Sequence, residues 1–255
     1  MATRVLIIGA SGFIGRNILN RESENSYFPL KDVDLLQRDS VGKVIEVAQK
    51  NRCELILSLA WKSNSQNTYE VGKEHDLWAD TTFDLAKACT DNQIHFVGVG
   101  SCLDNQAIPL SNYEIAKQRV RNRILNELTG KEWTWVRPFW IYSKSGSHPR
   151  LLREFLNCDS ESFKLRSGSS KRDFIDILDV ATAFDVICRI KPRGVVDIGS
   201  GFLTSNLSLL MKMSELNSGM TITDLAIPEV DGATSDNRVM ESIGWDPFES
   251  RSFLL

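Results

Sequence analysis

The chain has 255 residues, of which 42% are hydrophobic and 25% are charged, and its formal net charge is −3. This composition is that of a globular protein with one sizeable core, and its scattered Lys and Arg exclude the basic surface that nucleic acid or an anionic membrane requires. The five cysteines show no C-x-x-C spacing and the three histidines are isolated, so we expect neither a disulfide framework nor a metal site.

The first element of the chain is an apolar run at 5–8, typical of a buried parallel strand, and a helical pattern begins at residue 13. Gly9, Gly12 and Gly15 lie at the turn between them. The first glycine permits a tight turn, the second lets the backbone approach a pyrophosphate, and the third lets the helix pack on the strand. With the free N–H groups of the helix start, this motif predicts a dinucleotide site. The alternative is a turn that binds nothing.

Strand and helix patterns then alternate along the chain. This alternation predicts an α/β fold with a Rossmann-type, doubly wound parallel sheet. The predicted strands are 5–8, 27–30, 54–59, 94–99, 133–136 and 195–198, and the predicted helices lie near 13–22, 40–50, 72–91, 111–128 and 179–190. The chain enters its first strand without a signal peptide and has no apolar run of membrane-spanning length, so we expect a cytoplasmic protein.

The strand at 94–99 is followed by Ser101 and Cys102. In a doubly wound sheet, ligands bind at the carboxyl ends of the strands, so we expect Ser101 on the same side as the glycine turn. A hydroxyl there can hydrogen-bond a substrate carbonyl. A serine that only turns the chain is the alternative.

The helix at 111–128 places Tyr113 and Lys117 one turn apart on a single face. Its start, with Ser111 and Glu114, has the S-x-x-E spacing of a capping box. A phenol has a pKa near ~10 and is a poor proton donor or acceptor at neutral pH, unless a nearby cation favours its phenolate form. Lys117 is that cation, although an ordinary surface pair would show the same spacing.

These motifs resemble those of the extended short-chain dehydrogenase/reductases, also called the NAD-dependent epimerase/dehydratase family of sugar-nucleotide enzymes. The resemblance covers nearly the whole chain. Besides the glycine motif, Ser101, Tyr113 and Lys117, it rests on LA at 59–60, VRP at 136–138 with IY at 141–142, RDFIDI at 172–177 with DVA at 179–181, DIGSG at 197–201 and IGWDP at 243–247.

The family implies a role for each matching position. The implied catalytic residues are Ser101, Tyr113 and Lys117. The implied cofactor-binding residues are Gly9, Ser11, Gly12, Phe13, Ile14, Gly15, Arg16, Asp34, Leu35, Leu59, Ala60, Tyr113, Lys117 and Pro138, and the implied substrate-binding residues are Ser101, Cys102, Trp140 and Arg172.

The residues after Ser101 discriminate among the family's reactions. Family dehydratases have an Asp-Glu pair there, whereas this chain has Cys102 and Leu103, which disfavours dehydration. The segments 97–103 and 59–61 look like those of nucleotide-sugar 4-ketoreductases, which implies reduction of a nucleotide-linked 4-keto-6-deoxy sugar in deoxysugar biosynthesis. A nucleotide-sugar epimerase would use the same triad, and a non-catalytic dinucleotide-sensing regulator is the alternative of another class.

The sequence gives mixed signals on the cofactor. An NAD site usually has an acid about twenty residues after the glycines, whereas an NADP site uses a base. Lys31 and Asp32 end the second strand, and Asp34 with Leu35 resembles the segment that meets the adenine. With Arg16 also close to the glycines, we favour NADP(H) over NAD(H).

We expect a dinucleotide-binding Rossmann domain at 1–141 and 173–200, and a small discontinuous substrate-binding region at 142–172 and 201–255. The stretch 228–236 lacks the Arg that often clamps the substrate diphosphate, which leaves Arg172 as the candidate. The resemblance also implies a homodimer that pairs through helices including 111–128.

Overall fold

The computed structural model describes residues 2–62, 74–105, 111–145, 150–159, 162–217 and 221–255. Positions 72 and 73 of the predicted helix 72–91 lie outside these ranges. The strands are β1 (Arg4–Ile8), β2 (Ser26–Pro29), β3 (Leu55–Ser58), β4 (His95–Val99), β5 (Trp133–Pro138), β6 (Trp140–Tyr142), β7 (Ser162–Leu165), β8 (Lys171–Arg172), β9 (Phe174–Asp176), β10 (Gly194–Ile198), β11 (Thr204–Ser205) and β12 (Thr221–Asp224). The helices are α1 (Phe13–Leu19), α2 (Ser40–Lys50), α3 (Glu74–Asp91), α4 (Asn112–Glu127), α5 (Arg150–Leu156), α6 (Ile177–Ile190), α7 (Asn206–Asn217), α8 (Arg238–Ser242) and α9 (Phe248–Leu254).

The first compact unit comprises Met1–Arg137 and Phe184–Val196. Its centre is a six-stranded sheet in the order β10-β5-β4-β3-β1-β2. The pairs β1–β2, β1–β3, β3–β4 and β4–β5 are parallel. Consecutive residues of β1 and β3 are buried, so helices cover both faces of the sheet, as a near-continuous apolar strand sequence requires. The predicted Rossmann-type doubly wound sheet is confirmed.

The strand order reverses beside β1. The chain leaves β1 for β2 at one edge and then returns to β3 on the other side. In open α/β sheets, ligands bind outside the carboxyl ends of the strands at such a reversal. A ligand site is therefore expected at the segments that follow β1, β3 and β4.

The predicted cap of α4 is present. The Ser111 hydroxyl accepts a hydrogen bond of 3.2 Å from the backbone N–H of Glu114, so the helix begins where the sequence predicts. This cap fixes the first turn of α4, the turn that carries Tyr113.

The second compact unit comprises Pro138–Ala183 and Asp197–Leu255. It contains small sheets that pair β6 with β9, β7 with β12 and β8 with β11. A buried carboxylate joins its segments: Asp173, 0% exposed, accepts bonds from the N–H and hydroxyl groups of Ser200 and Ser235 at 2.6 to 2.8 Å. A buried charge needs such partners because it has lost its hydration.

The described helices include none that is both long and apolar enough to cross a lipid bilayer.

A buried histidine on β4 makes the stability of the protein depend on pH. His95 is 4% exposed, and its Nε2 lies 2.8 Å from the Thr134 hydroxyl. Its Nδ1 has no hydrogen-bond partner among the described residues, and Glu132 Oε2 lies 3.6 Å away. Burial lowers the pKa of His95 from 6.5 to about 4, although the Glu132 carboxylate opposes the shift.

We predict that acidification removes stability through His95. The unfolded chain takes up a proton near pH 6.5 and the folded chain only near pH 4, so stability falls as the pH drops through this interval. Between pH 8 and pH 4.5 this loss is about 2 kcal/mol. The free energy of unfolding, measured with urea at both pH values, should therefore fall by about 2 kcal/mol less in His95→Gln than in the parent protein. Equal losses in the two proteins would contradict the prediction.

Candidate active site

At two glycines, Gly9 in the turn after β1 and Gly15 in α1, the packing is too close to accept a side chain. Gly9 has a φ of +82°, in the left-handed region, and its carbonyl accepts a 3.0 Å bond from the N–H of Gly12. A Cβ on Gly9 would lie 2.9 Å from the backbone nitrogen of Ala60, and one on Gly15 would lie 2.5 Å from the Gly9 carbonyl oxygen. The backbones of the turn, of the start of α1 and of the segment after β3 are therefore in close contact.

The residues with an implied cofactor role thus gather from two strands. Leu59 and Ala60 follow β3 directly, and both contact Gly9 through their backbone atoms. Gly12 caps α1 without a side-chain hydrogen bond among the described residues. The neighbouring positions differ in exposure: Ser11, Gly12 and Arg16 are exposed, and Phe13 and Ile14 are partly buried.

Asp34 and Leu35, which resemble the adenine-contacting segment, differ in their surroundings. The exposed Asp34 carboxylate accepts bonds from the Leu36 N–H at 3.1 Å and from the side-chain amide of Gln37 at 3.4 Å. Leu35 is 7% exposed, and its side chain packs in the core of the first unit. Pro138, the remaining implied cofactor residue, belongs to the second unit.

Lys117 is the buried cation of the site. Its side chain is in α4 and is 4% exposed, and its Nζ donates a 2.6 Å hydrogen bond to the carbonyl of Val99, the last residue of β4. Nζ also lies 3.7 Å from the ring centre of Trp61 and 5.7 Å from that of Tyr113. Burial lowers the pKa of Lys117 from 10.5 to about 7, while the Asp104 carboxylate acts in the opposite direction.

Tyr113 lies in an aromatic cluster with Trp61 and His75. Its ring meets both neighbours edge to face, with centroid distances of 6.1 Å to Trp61 and 5.6 Å to His75. The Trp61 indole N–H donates a 3.0 Å hydrogen bond to Nδ1 of His75, which is 1% exposed. Sequence reasoning used Trp61 only as part of the segment 59–61, without a role of its own at the site, and gave no role to His75. Trp61 could have been found because it follows Leu59 and Ala60, whereas only the packing of α3 places His75 there.

Ser101 and Cys102 are partly exposed just beyond β4. The Ser101 hydroxyl accepts a 3.2 Å bond from the Leu103 N–H, and the Ser101 N–H donates at 3.2 Å to Asp104. Asp104 is fully buried, accepts a 2.7 Å bond from the Trp135 indole, and has a pKa raised by that burial. Asp104 therefore fixes the loop that carries Ser101.

The three implied catalytic residues consequently lie around one strand end. The Lys117 bond to Val99 joins α4 to β4 two residues before Ser101, and Tyr113 lies one turn before Lys117 on the same helix face. A hydroxyl, a phenol and an ammonium in such a group can position a carbonyl and donate a proton to it. The described residues contain no cluster of three or more His, Cys, Asp or Glu suited to a metal ion.

The second unit brings Trp140 and Arg172 together. Both line a cavity of about 300 Å³, with the Arg172 guanidinium 5.2 Å from the centre of the Trp140 ring. Arg172 donates 2.8 Å to the Val230 carbonyl and pairs at 3.3 Å with Glu229. The buried Ser167 hydroxyl, which has no partner among the described residues, lines the same cavity.

Comparison with known proteins identifies the family. Residues 5–199 match the model of the NAD dependent epimerase/dehydratase family, and the chain belongs to this family. Among curated proteins, none matches the sequence of this chain.

Solved structures with the same fold include a dTDP-4-dehydrorhamnose reductase from Bacillus anthracis in complex with NADP, with 16% identity, a TM-score of 0.79 and coverage of 95% of this chain and 93% of that chain. They also include a UDP-glucose 4-epimerase from Thermus thermophilus in complex with NAD, with 16% identity, a TM-score of 0.74 and coverage of 96% and 94%. A third is a UDP-N-acetylglucosamine 4-epimerase from Methanobrevibacter ruminantium in complex with UDP-N-acetylmuramic acid, with 18% identity, a TM-score of 0.76 and coverage of 98% and 94%.

We predict that Gly15→Ala destabilises the protein by about 1 to 3 kcal/mol, because the new methyl overlaps the Gly9 carbonyl and the backbone must move. Gly42→Ala is the matched control. Gly42 lies in α2, and a Cβ there meets nothing within 4 Å, so helix propensity should raise stability by about 0.5 to 1 kcal/mol. Thermal unfolding measures both changes, and a Gly15→Ala protein as stable as the parent would refute the close packing.

Proposed function

We propose that this protein uses NADPH to reduce the keto group of a nucleotide-linked 4-keto-6-deoxy sugar. The observation that carries the proposal is the placement of the buried Lys117 beside Tyr113 at the end of β4, next to Ser101. Among the residues that the structure describes, no carboxylate is in hydrogen-bond contact with the Lys117 ammonium. A buried ammonium of this kind is costly, and such groups are concentrated at functional sites.

The residues of the first unit fit a dinucleotide. Gly9 and Gly15 let the turn, α1 and the segment at Leu59 and Ala60 pack against one another, and the exposed Gly12 begins α1, whose free backbone N–H groups suit a pyrophosphate without a basic side chain. When bound, a reduced nicotinamide dinucleotide supplies the hydride for the keto carbon.

Two exposed cations support NADPH over NADH. Arg16 lies in α1 and Lys31 follows β2, and both side chains are exposed. No carboxylate in the described part of the chain pairs with either one, so both are available to a ribose phosphate. Arginine is suited to that contact because its planar guanidinium binds phosphate with two parallel bonds.

The residues at the end of β4 handle the proton. Tyr113 donates its phenolic proton to the oxygen of the substrate carbonyl as negative charge develops there. The positive charge of Lys117 favours the resulting tyrosinate, and the Ser101 hydroxyl holds the carbonyl oxygen in place. Since Asp104 fixes the loop of Ser101 and Ser111 caps the helix of Tyr113, this chain orients the groups before substrate binds.

We assign the nucleotide-sugar site to the second unit, around Trp140 and Arg172. The cavity there combines aromatic and aliphatic walls with the Arg172 guanidinium and the unpartnered Ser167 hydroxyl. This mixture suits a ligand with a base, a sugar and a diphosphate. A substrate phosphate would have to compete with Glu229 for Arg172.

The comparisons support the same reaction class at a coarser level. The family is named for NAD-dependent epimerases and dehydratases, and the structural neighbours include a nucleotide-sugar reductase complexed with NADP. Cys102 and Leu103 replace the acid pair expected of a dehydratase, which leaves reduction and epimerisation.

We predict that Tyr113→Phe lowers kcat by about a hundredfold or more, since the proton donor is lost, with little change in cofactor affinity. Tyr27→Phe removes the same hydroxyl from β2, where it donates to Asp185, and should retain activity. Steady-state kinetics and a cofactor titration provide the measurements. A Tyr113→Phe enzyme that turns over normally would show that Tyr113 is not the acid.

The test of the function is a panel of nucleotide-linked 4-keto sugars offered with NADPH and with NADH, followed by the loss of absorbance of the reduced cofactor. We expect consumption of NADPH with a 4-keto-6-deoxy sugar. Interconversion of sugar nucleotides without net cofactor consumption would identify an epimerase instead. Cofactor binding without turnover across the panel would identify a dinucleotide sensor.

A further inference from the structure

We propose that Trp61 is a positioning residue for the Tyr113–Lys117 pair: its ring holds Lys117 as a cation in a place from which water is excluded. The kinetic consequence rests on the function proposed above, but the contact itself can be measured in the protein alone. The proposal rests on the geometry of Trp61, Lys117 and His75.

The indole ring of Trp61 provides a further stabilising contact for the buried Lys117 ammonium. Lys117 is 4% exposed, and the Val99 carbonyl is its hydrogen-bond acceptor. The face of the Trp61 ring, 3.7 Å from Nζ to the ring centre, presents the negative side of an aromatic quadrupole. Trp is the most effective aromatic residue for this contact, which strengthens when water is excluded.

His75 fixes the orientation of that ring. The Trp61 N–H donates to Nδ1 of His75 at 3.0 Å, so Nδ1 is unprotonated in this arrangement. The two rings are also stacked, with centroids 6.1 Å apart, and His75 is almost fully buried. Trp61 is therefore held on one edge by α3 and cannot rotate off Lys117 without breaking a buried hydrogen bond.

The other charged groups near Lys117 give it less direct support. Asp104 faces it from the loop after β4, but the Asp104 carboxylate is itself approached by Arg121 at 3.8 Å and by Arg137 at 3.9 Å. The titratable side chains whose rings contact Trp61 are Tyr113 on α4 and His75 on α3, and β5 contributes the ring of Trp135, 5.9 Å from Nζ. In the described part of the chain, the group nearest to Nζ that stabilises a cation, after the Val99 carbonyl, is thus the Trp61 ring.

The contact has a direct chemical consequence. Lys117 can favour the tyrosinate only while it carries its charge, and burial lowers its pKa to about 7. Loss of the Trp61 ring would lower the pKa further, so that less of the protein would be in the charged form at neutral pH. The alkaline limb of the pH profile of kcat/KM would then move to lower pH by the same interval.

The test follows the 13Cε resonance of Lys117 against pH in the free protein labelled with 13C-lysine, with Lys117→Met to assign the signal. Two variants separate the ring from its bulk. Trp61→Leu keeps an apolar cover without a ring, and we expect the titration midpoint to fall by about one pH unit, a tenfold change in proton affinity. Trp61→Phe keeps a ring and should titrate close to the parent protein.

The outcomes are distinct. A midpoint in Trp61→Leu that is unchanged or higher, or that moves equally in Trp61→Phe, would overturn the proposal. Circular dichroism shows whether both variants fold. If Trp61→Leu does not fold, Trp61→Phe still reports the titration midpoint of Lys117 beside an aromatic ring. If the resonance moves as expected but no sugar nucleotide is turned over, the positioning role stands and the proposed reaction fails.

Discussion

The hydrogen bond from Lys117 Nζ to the Val99 carbonyl is the interaction on which the site depends. It ties α4 to the end of β4 at 2.6 Å and so relates Tyr113 on the helix to Ser101 beyond the strand. This bond requires the burial of an ammonium that has no carboxylate within hydrogen-bond distance among the described residues, which costs free energy. The Trp61 ring and the more distant Asp104 offset part of that cost.

A second constraint operates at the neighbouring strand ends. Gly9, Gly15 and the backbone of Ala60 approach so closely that the turn after β1 and the segment after β3 have little freedom to move. Both constraints lie at the carboxyl edge of the same parallel sheet, where the strand order reverses. The proposed dinucleotide site and the proposed acid–base pair would therefore both be products of one topology.

Much of this arrangement could be predicted from the sequence because it depends on local patterns. The apolar runs at β1, β3 and β4, the glycine turn and the Ser111 cap each depend on residues adjacent in the chain, and all are present. The residues at which the helices begin could likewise be predicted from the sequence. Periodicity and capping chemistry need no knowledge of distant contacts.

The remaining features arise from residues far apart in the chain. His75 reaches Trp61 only because α3 packs on α4, and Glu229 meets Arg172 across 57 positions. A sequence pattern carries no signal for such pairs, and the same holds for the bond from the Ser101 N–H to the buried Asp104. Lys117 was predicted as a cation, but its near-complete burial, and with it the need for Trp61, is a tertiary property.

The most direct measurement of the central claim is the fate of hydrogen during turnover. The protein would be incubated with NADPH carrying deuterium on the transferring face of nicotinamide C4 and with a nucleotide-linked 4-keto-6-deoxy sugar, and the product analysed by mass spectrometry and NMR. Direct reduction at the Ser101, Tyr113 and Lys117 site predicts one deuterium on the carbon that bore the keto group, with one cofactor oxidised per product. A product without deuterium, or an isomerised sugar with the cofactor unchanged, would contradict it.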